Sequence, residues 1–553
     1  MDYQEKPVLI KKESYFKPAA SVDIQDAFIQ FSNPDINFLK SLYITLIRPP
    51  IIFSAKSYST PITLPVGISY IAAALKKSNY RVKIIDCVGA GINEIHTTVD
   101  NRFKIQGIDV DRSIEMINKD CDIIGISTMF SQEWPHIRRY INKVRDSFPN
   151  AKIIVGGEHA TAMPEFSLRD CPEIDYIIKG EGELALIQLV YNIRKGIEDK
   201  ISGVVFLKDG RYNESLLAPR LVKIENLPWP SWELLDIEPY FQPNFTMGIS
   251  QGRNMPLLAT RGCPYQCTFC SSPQMWTTRY VMRPASDVVD EIEYYIKKYQ
   301  INSVDFYDLT AIVKKEWVMD FTNELKRRNL DITWQLPSGT RSEALDQEVI
   351  SRLADTGIKF LVYAPESGSK RILKEIKKKV NLKKLTQSVS FAKKNKIITK
   401  LNFIIGFPNE KRLDILKTLL FIWKLALLKV NDCNLSIFSP YPGSEIYDEL
   451  RKSSVIPEIN DAYFESLITQ FDFTASKSYC RDIGTIELSS YRIIGMSIFY
   501  GLSYLRCPGR LLRLIKLSRI FISKTQDFEP DSMFEQRIFD YIARKSLSAN
   551  HIS

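Results

Sequence analysis

Twice along this chain, short apolar runs alternate with amphipathic stretches of helical length, and that alternation confines the fold to parallel α/β architecture. In the first series "SLYITLIRPP" reads as a buried strand ending in a proline loop, "LPVGISYIAAALKKSNY" places Ile68, Ile71, Ala72 and Leu75 at helical spacing, and "RVKIID" is a second strand. "CDIIGIS", the helix "HIRRYINKVRDSF", "AKIIVGG" and "IDYIIKGEGE" continue it, so residues 39–195 are expected to form a doubly wound, Rossmann-like sheet. Ligands on such sheets sit beyond the strand carboxyl ends, where Ser127, Gly156, Gly157, Glu158 and the Gly180 to Glu183 turn fall. A glycine at a strand end is also often only a tight turn.

Residues 1–38 are polar and irregular, an extension before the first domain. Residues 196–250 read as a connection whose core, "NLPWPSWELLDIEPYFQPNF", is too rich in proline and tryptophan for an independent fold and suits a rigid segment packed on both neighbours. The second series starts at "PLLATRGCPYQC". Strands at "LLAT", "SVDFYD", "ITWQLPSG", "KFLVYAPE", "TKLNFIIGF" and "DCNLSIFSPY" alternate with helices, which describes an open, partial (β/α)6 barrel over 251–445 with its site at the strand carboxyl ends. A mostly helical region, 446–553, follows.

Directly after the first barrel strand, "RGCPYQCTFCSSP" places Cys263, Cys267 and Cys270 on one short loop. A structural zinc site normally supplies four ligands in two close pairs, so three cysteines make an incomplete cage. Three thiolates suit a cubane iron–sulfur cluster, soft ligands for a soft centre, with one iron left open for another ligand. An adventitious zinc or an electron-transfer cluster is the competing reading, although a ferredoxin would bring a fourth cysteine and none is near. The other six cysteines, scattered from Cys87 to Cys507, are expected to be buried small hydrophobes.

The Cys-x3-Cys-x2-Cys loop, with Phe269 just before its last cysteine, resembles that of the radical S-adenosylmethionine superfamily. The segments "LPVGISYIAAAL", "IID", "IGIS", "IVGGEHATAMPE" and "KGEGE" resemble, in order, the cobalamin-binding domain of the cobalamin-dependent branch, class B methyltransferases among them, and the resemblance runs over roughly residues 40–450. It implies three cofactors: a [4Fe-4S] cluster on Cys263, Cys267 and Cys270, S-adenosylmethionine on the open iron, and cobalamin. By the same resemblance Phe269, Asp308, Arg341, Glu366 with Ser367, and Gly406 should surround S-adenosylmethionine; Ala364 stands where a glycine is usual, and "YDLTA" departs from the usual acid pair. Asp86, Ser127, Gly156, Gly157, Glu158 and Glu181 should border cobalamin. "DCVGAG" keeps Asp86 and Gly91 of the Asp-x-His-x-x-Gly loop but has Val88 at the histidine position, so cobalt should lack a histidine from this loop.

The reaction so implied is reductive cleavage of S-adenosylmethionine to a 5′-deoxyadenosyl radical that takes hydrogen from an unreactive carbon, followed by C-methylation of a small-molecule, lipid or natural-product substrate. A radical cyclase or rearrangement enzyme is the alternative, and a non-catalytic iron–sulfur scaffold or redox sensor a second. Such an enzyme needs an electron donor such as flavodoxin or ferredoxin.

The amino terminus has no apolar run of signal-peptide length, and "LKTLLFIWKLALLKV" is interrupted by Lys417, Lys424 and Lys429, which favours a core-facing amphipathic helix over a membrane span and makes the cytoplasm the expected location. Lys and Arg number 74 against 64 Asp and Glu. No acid stands between Glu487 and Asp527, where Arg492, Arg506, Arg510, Arg513, Lys516, Arg519 and Lys524 fall. Pro508 and Gly509 divide this segment into two helices, expected to cap the barrel with their basic side in water; peripheral contact of 497–525 with an anionic inner membrane face is the alternative. No nucleic-acid-binding motif accompanies the basic excess.

Overall fold

The computed structural model describes residues 21–32, 42–57, 62–241, 246–456, 458–468, 477–520 and 530–538. The first domain is a seven-stranded sheet of β1 (Tyr43–Arg48), β2 (Arg81–Asp86), β3 (Ile123–Ser127), β4 (Lys152–Gly156), β5 (Tyr176–Ile178), β6 (Val204–Lys208) and β7 (Arg211–Asn213), in the order β7-β6-β5-β4-β3-β1-β2. The five strands β1 to β5 run parallel, and the chain reverses at β6, which pairs antiparallel with β5. The sheet thus continues past residue 195 into the segment read from sequence as connection. Helices α1 (Val66–Lys77), α2 (Trp134–Ser147), α3 (Glu158–Ala162) and α4 (Gly182–Lys195) link the strands. β3 is apolar on both faces, as a strand between two helical layers must be. A side sheet of Ile51–Ser54, Ile95–Thr97 and Phe103–Gln106 had no clear alternation to announce it.

The connection is pinned to both domains. Trp232 is buried and donates from its indole N–H to the Tyr295 hydroxyl at 2.7 Å in the second domain. Tyr240 donates to Asp86 at the end of β2 in the first.

The second domain holds β8 (Asn254–Leu257), the short β9 (Thr260–Arg261) and β10 (Val281–Met282), then β11 (Ser303–Phe306), β12 (Thr333–Thr340), β13 (Ile358–Glu366), β14 (Ile398–Ile405) and β15 (Asp432–Ile437). β8, β11, β12, β13, β14 and β15 form one parallel sheet in sequence order, the open six-stranded barrel expected. Helices α5 (Ser272–Trp276), α6 (Ala285–Tyr299), α7 (Lys315–Arg327), α8 (Gln347–Asp355), α9 (Leu382–Lys394) and α10 (Arg412–Leu427) connect them. Period-two alternation in β14 sends Leu401, Phe403 and Ile405 into the core shared with Ile415, Leu419 and Ile422 of α10, leaving Lys400, Asn402 and Ile404 on the barrel interior. The floor is closed by Ile249, Phe360, Val362, Ile398 and Met533.

α11 (Thr485–Arg506) lies along α10 and β15, and α12 (Pro508–Ile520) follows it, with the break at Pro508 as expected. Gly495 lets α11 approach, since a Cβ there would stand 2.6 Å from Leu419 Cδ2. The expectation of a basic side turned to water is corrected at two positions. Arg492 and Arg510 are buried; Arg510 donates to the Val430 carbonyl at 3.0 Å and pairs with Asp531 at 3.1 Å, an acid brought in from beyond the acid-free segment. Residues 521–525 of that segment, Lys524 among them, lie outside the described residues. α10 faces the core as expected, but its outer side sets Leu413, Leu416, Leu420 and Leu427 among Arg412, Lys417 and Lys424. Cys87, Cys121, Cys171 and Cys433 are buried as expected, whereas Cys480 and Cys507 are half-buried. Among the described residues no helix is long and apolar enough to cross a membrane.

Candidate active site

The cysteine loop begins at Gly262, whose φ of +85° and lack of a side chain are both required: a Cβ would stand 2.2 Å from the Arg279 carbonyl oxygen. β9 and β10 pair antiparallel and hold the loop's two ends together. Cys263, Cys267 and Cys270 are half-buried free thiols. Burial pushes the Cys270 thiol up to about 11 and raises that of Cys267, where Lys378 and Arg341 act in the opposite sense. A bound metal reverses such shifts, because a coordinating thiol is deprotonated outright. Three soft thiols on one loop fit a cubane cluster. Among the described residues no three His, Cys, Asp and Glu side chains are drawn around a single-ion position, and a cubane does not require it, because each thiolate binds a different iron.

Glu366 with Lys378, Arg341 and Phe407 approach this loop from the barrel. Glu366 closes β13 with φ +65°, buried, and takes an ion pair from Lys378 Nζ at 2.9 Å. A non-glycine residue held in the left-handed region at a strand end is a strain that functional sites tolerate. Arg341 lies over the Tyr265 ring at 3.4 Å, inside the cysteine loop, and donates from Nη1 to the Lys379 carbonyl at 2.8 Å, while its buried Nη2 has no hydrogen-bond partner. Phe269 packs on Phe407 with ring centroids 5.8 Å apart. Gly406, at φ +87°, donates its N–H to Glu410 at 2.6 Å, which shapes the turn under that aromatic pair.

The remaining expected contacts for S-adenosylmethionine lie differently. Asp308 is buried and accepts from the Ala259 N–H at 3.2 Å and from the Thr260 hydroxyl, so it fastens the strand leading into the cysteine loop; burial raises its carboxyl to about 6. Ser367 is turned to Thr418 of α10 at 3.0 Å. Sequence reasoning missed Lys378 and Tyr265. Tyr265 stands inside the motif itself, whereas Lys378 is one of several lysines in "KEIKKKV" and nothing singles it out.

On the first domain, the carboxyl edge of the sheet is bordered by glycine. Gly157, at φ +127°, would place a Cβ 2.5 Å from the Thr128 carbonyl oxygen, and Ser127 pairs in register with Gly156. A Cβ on Gly156 would meet nothing closer than Ile178 at 4.0 Å, so this edge has open space against it, as a cradle for a broad flat cofactor needs. Strand order reverses between β1 and β3, the place where such sheets bind ligands. Val88 is fully buried among Tyr240, Ile62 and Leu64 and carries no ligating atom. Asp86 is engaged by Tyr240 and lies 3.6 Å from Arg48.

Two of the expected cofactor-binding acids join the domains. Glu158, the first residue of α3, accepts a hydrogen bond from Ser271, next to Cys270, and burial raises its carboxyl. Glu181 pairs with Arg220 of the connection at 2.7 Å and with Arg261 of β9 at 3.2 Å, and Arg261 reaches Glu183 at 2.6 Å. All four side chains are buried. The sheet edge and the cysteine loop are therefore held against each other.

Residues 58–190 match the family described as B12 binding domain, and residues 257–422 the radical SAM superfamily. The chain is 28% identical over 428 residues to an uncharacterised methyltransferase of Pyrococcus horikoshii, covering 76% of this chain and 86% of that one. It is 24% identical to the anaerobic magnesium-protoporphyrin IX monomethyl ester cyclase of Rubrivivax gelatinosus, covering 70% and 66%. Its fold is similar to that of the radical S-adenosylmethionine methyltransferase TsrM of Kitasatospora setae, solved with cobalamin and a [4Fe-4S] cluster bound, at a TM-score of 0.63 and 14% identity over 92% of this chain and 100% of that one. With both domains in this order and the cysteine loop at their junction, the chain belongs to the cobalamin-dependent radical S-adenosylmethionine enzymes, with an iron–sulfur cluster, S-adenosylmethionine and cobalamin as its cofactors.

Proposed function

We propose that the chain is a radical C-methyltransferase acting on an unactivated carbon of a small-molecule or lipid substrate. One observation carries the reading: α3 at the glycine-bordered sheet edge packs on α5 beside the cysteine loop, tied by Glu158 to Ser271, which sets the residues proposed for the two cofactors side by side. The cluster with S-adenosylmethionine supplies a carbon-centred radical oxidant, and cobalamin a methyl donor. The protein's part is placement and exclusion of water. Cys263, Cys267 and Cys270 would hold the cluster. Glu366 offers the carboxylate acceptor that ribose hydroxyls require, with Lys378 paired to it at 2.9 Å, and the unpartnered Arg341 Nη2 is free to meet a carboxylate. Ser127, Gly156 and Gly157 would border the corrin. A flavodoxin or ferredoxin would supply the electron.

The relative from Rubrivivax favours a second reading, a radical cyclase in which no methyl group moves. Anaerobic reaction of the reconstituted protein with reductant and S-adenosylmethionine separates the two by mass spectrometry. Methylation yields S-adenosylhomocysteine together with 5′-deoxyadenosine, and cyclisation only the latter. Replacing Cys263, Cys267 and Cys270 together by alanine should abolish deoxyadenosine; its persistence would remove the cluster from these residues.

A further inference from the structure

Three neighbouring helices on one flank of the barrel are apolar on the side turned away from the core. α10 buries Ile415, Leu419, Ile422 and Leu425, yet also turns Leu413, Leu416, Leu420 and Leu427 outward, with Leu420 61% exposed. α11, laid along it, turns out Ile486, Ile493, Ile494, Ile498 and Leu505, the last 80% exposed. α12 adds Leu511, Leu512 and Ile515. A helix covering a water-exposed barrel should be polar on that side, and an apolar surface spread over several elements marks a docking face.

The exposed charges on this flank have one sign. Lys417 and Lys424 of α10, Lys429 just beyond it, Arg506 of α11 and Arg513 of α12 are exposed, and among the described residues no Asp or Glu is exposed on these three helices. The half-buried Glu487 in the first turn of α11 is held by Arg412 at 2.6 and 2.8 Å, and Arg513 lies 3.9 Å from the buried Glu535. A second copy of the chain would set these lysines and arginines against their own kind. We propose that this flank docks on an anionic lipid bilayer, with leucine and isoleucine entering the boundary between headgroups and acyl chains and the cations meeting the headgroups. The face differs from the basic segment singled out in the sequence, because its larger part is α10 and the first four turns of α11. Leu488, in the first turn of α11, lies against Gly406, so the upper end of the flank reaches the rim of the active site. For a methyltransferase whose substrate is a lipid, the bilayer would then stand beside the mouth of the barrel; the docking itself does not depend on that reaction.

Flotation of the full chain, reconstituted with its cofactors, on phosphatidylcholine vesicles with and without phosphatidylglycerol tests this. The protein should float only with the anionic lipid and be released by added salt. Leu420→Glu and Ile494→Glu, at exposed positions where folding is not at stake, should each lower the partition at least about tenfold, Lys417→Ala and Lys424→Ala about fivefold per charge, and Val99→Glu, exposed on the other domain, should change nothing. Wild-type protein that stays with neither vesicle overturns the proposal. So does a self-associated species in light scattering that Leu420→Glu dissolves while flotation is unaffected. Cleavage of S-adenosylmethionine without lipid should be equal in Leu420→Glu and wild type; a wild type that cleaves but does not float refutes the docking alone, and one that floats but does not cleave refutes the reaction alone.

Discussion

Replacing Arg261 by methionine tests whether the buried quartet of Glu181, Glu183, Arg220 and Arg261 joins the two domains. The guanidinium lies 3.2 Å from Glu181 and 2.6 Å from Glu183, and its Cζ is 5.0 Å from the Tyr70 ring centroid and 5.9 Å from that of Trp276. Methionine keeps much of the stem and removes the charge, leaving two buried carboxylates with Arg220 as their one remaining cation in the quartet. Breaking a buried pair from one side costs about 3–5 kcal/mol, because the stranded charge has neither water nor a partner.

The pH dependence follows from the sign of the shift. Burial already raises the Glu181 carboxyl, and Arg261 is the largest of the causes holding it down. Without Arg261 the folded-state pKa rises further above its unfolded value. An acid with a raised folded pKa costs stability while ionised, and the cost fades as pH falls through that pKa. The variant's deficit should therefore be full near pH 8 and shrink towards about pH 5. Urea unfolding followed by tryptophan fluorescence measures it, and the transition should split as the domains uncouple. Adding Glu183→Gln to Arg261→Met should restore about 1–3 kcal/mol in a double-mutant cycle. A deficit below about 1 kcal/mol, equal at both pH values, would mean the quartet behaves like a solvated surface pair and does not hold the cysteine strand to the sheet.

Glu366→Gln should weaken S-adenosylmethionine binding about tenfold or more in equilibrium dialysis with iron content unchanged, since it removes a carboxylate acceptor and strands Lys378. Gly157→Ala should destabilise the first domain by about 1–3 kcal/mol through its positive φ and the collision with Thr128. Gly156→Ala has room in the fold and should keep its stability while lowering the bound cobalamin read from absorbance; unchanged cobalamin in Gly156→Ala would place the corrin elsewhere.

The architecture was legible because it rests on periodicity. The strand alternation that reads as β14 in "TKLNFIIGF" is the same alternation that buries Leu401, Phe403 and Ile405, and Pro508 ends α11 where a proline must. The reversal at β6 was missed because "GVVFLK" lies in a stretch whose neighbouring prolines and tryptophans suggested connection only. Arg510 could not be read as buried, because its acid, Asp531, is 21 residues away and reaches it only through the return of the chain.

The candidate site divides along the same line. Cys263, Cys267, Cys270 and Phe269 stand on one loop, so sequence spacing alone sets their neighbourhood. Glu158, Glu181 and Asp86 were placed correctly at strand ends, yet a strand end has two neighbours, the ligand it faces and the domain that closes over it. Their partners Ser271, Arg261 and Tyr240 lie 113, 80 and 154 residues further on, a separation no local pattern encodes. Buried carboxylates left without cations would carry a desolvation penalty of several kcal/mol each. An enzyme with one cofactor edge on each of two domains must keep those edges in contact while admitting substrate between them, and hydrogen-bonded acids at the rim do so without filling the interior with side chains. The same reasoning explains Val88: once Tyr240 and the connection pack over the loop after β2, an apolar side chain there stabilises the joint, and a histidine would have to leave that core to reach a metal.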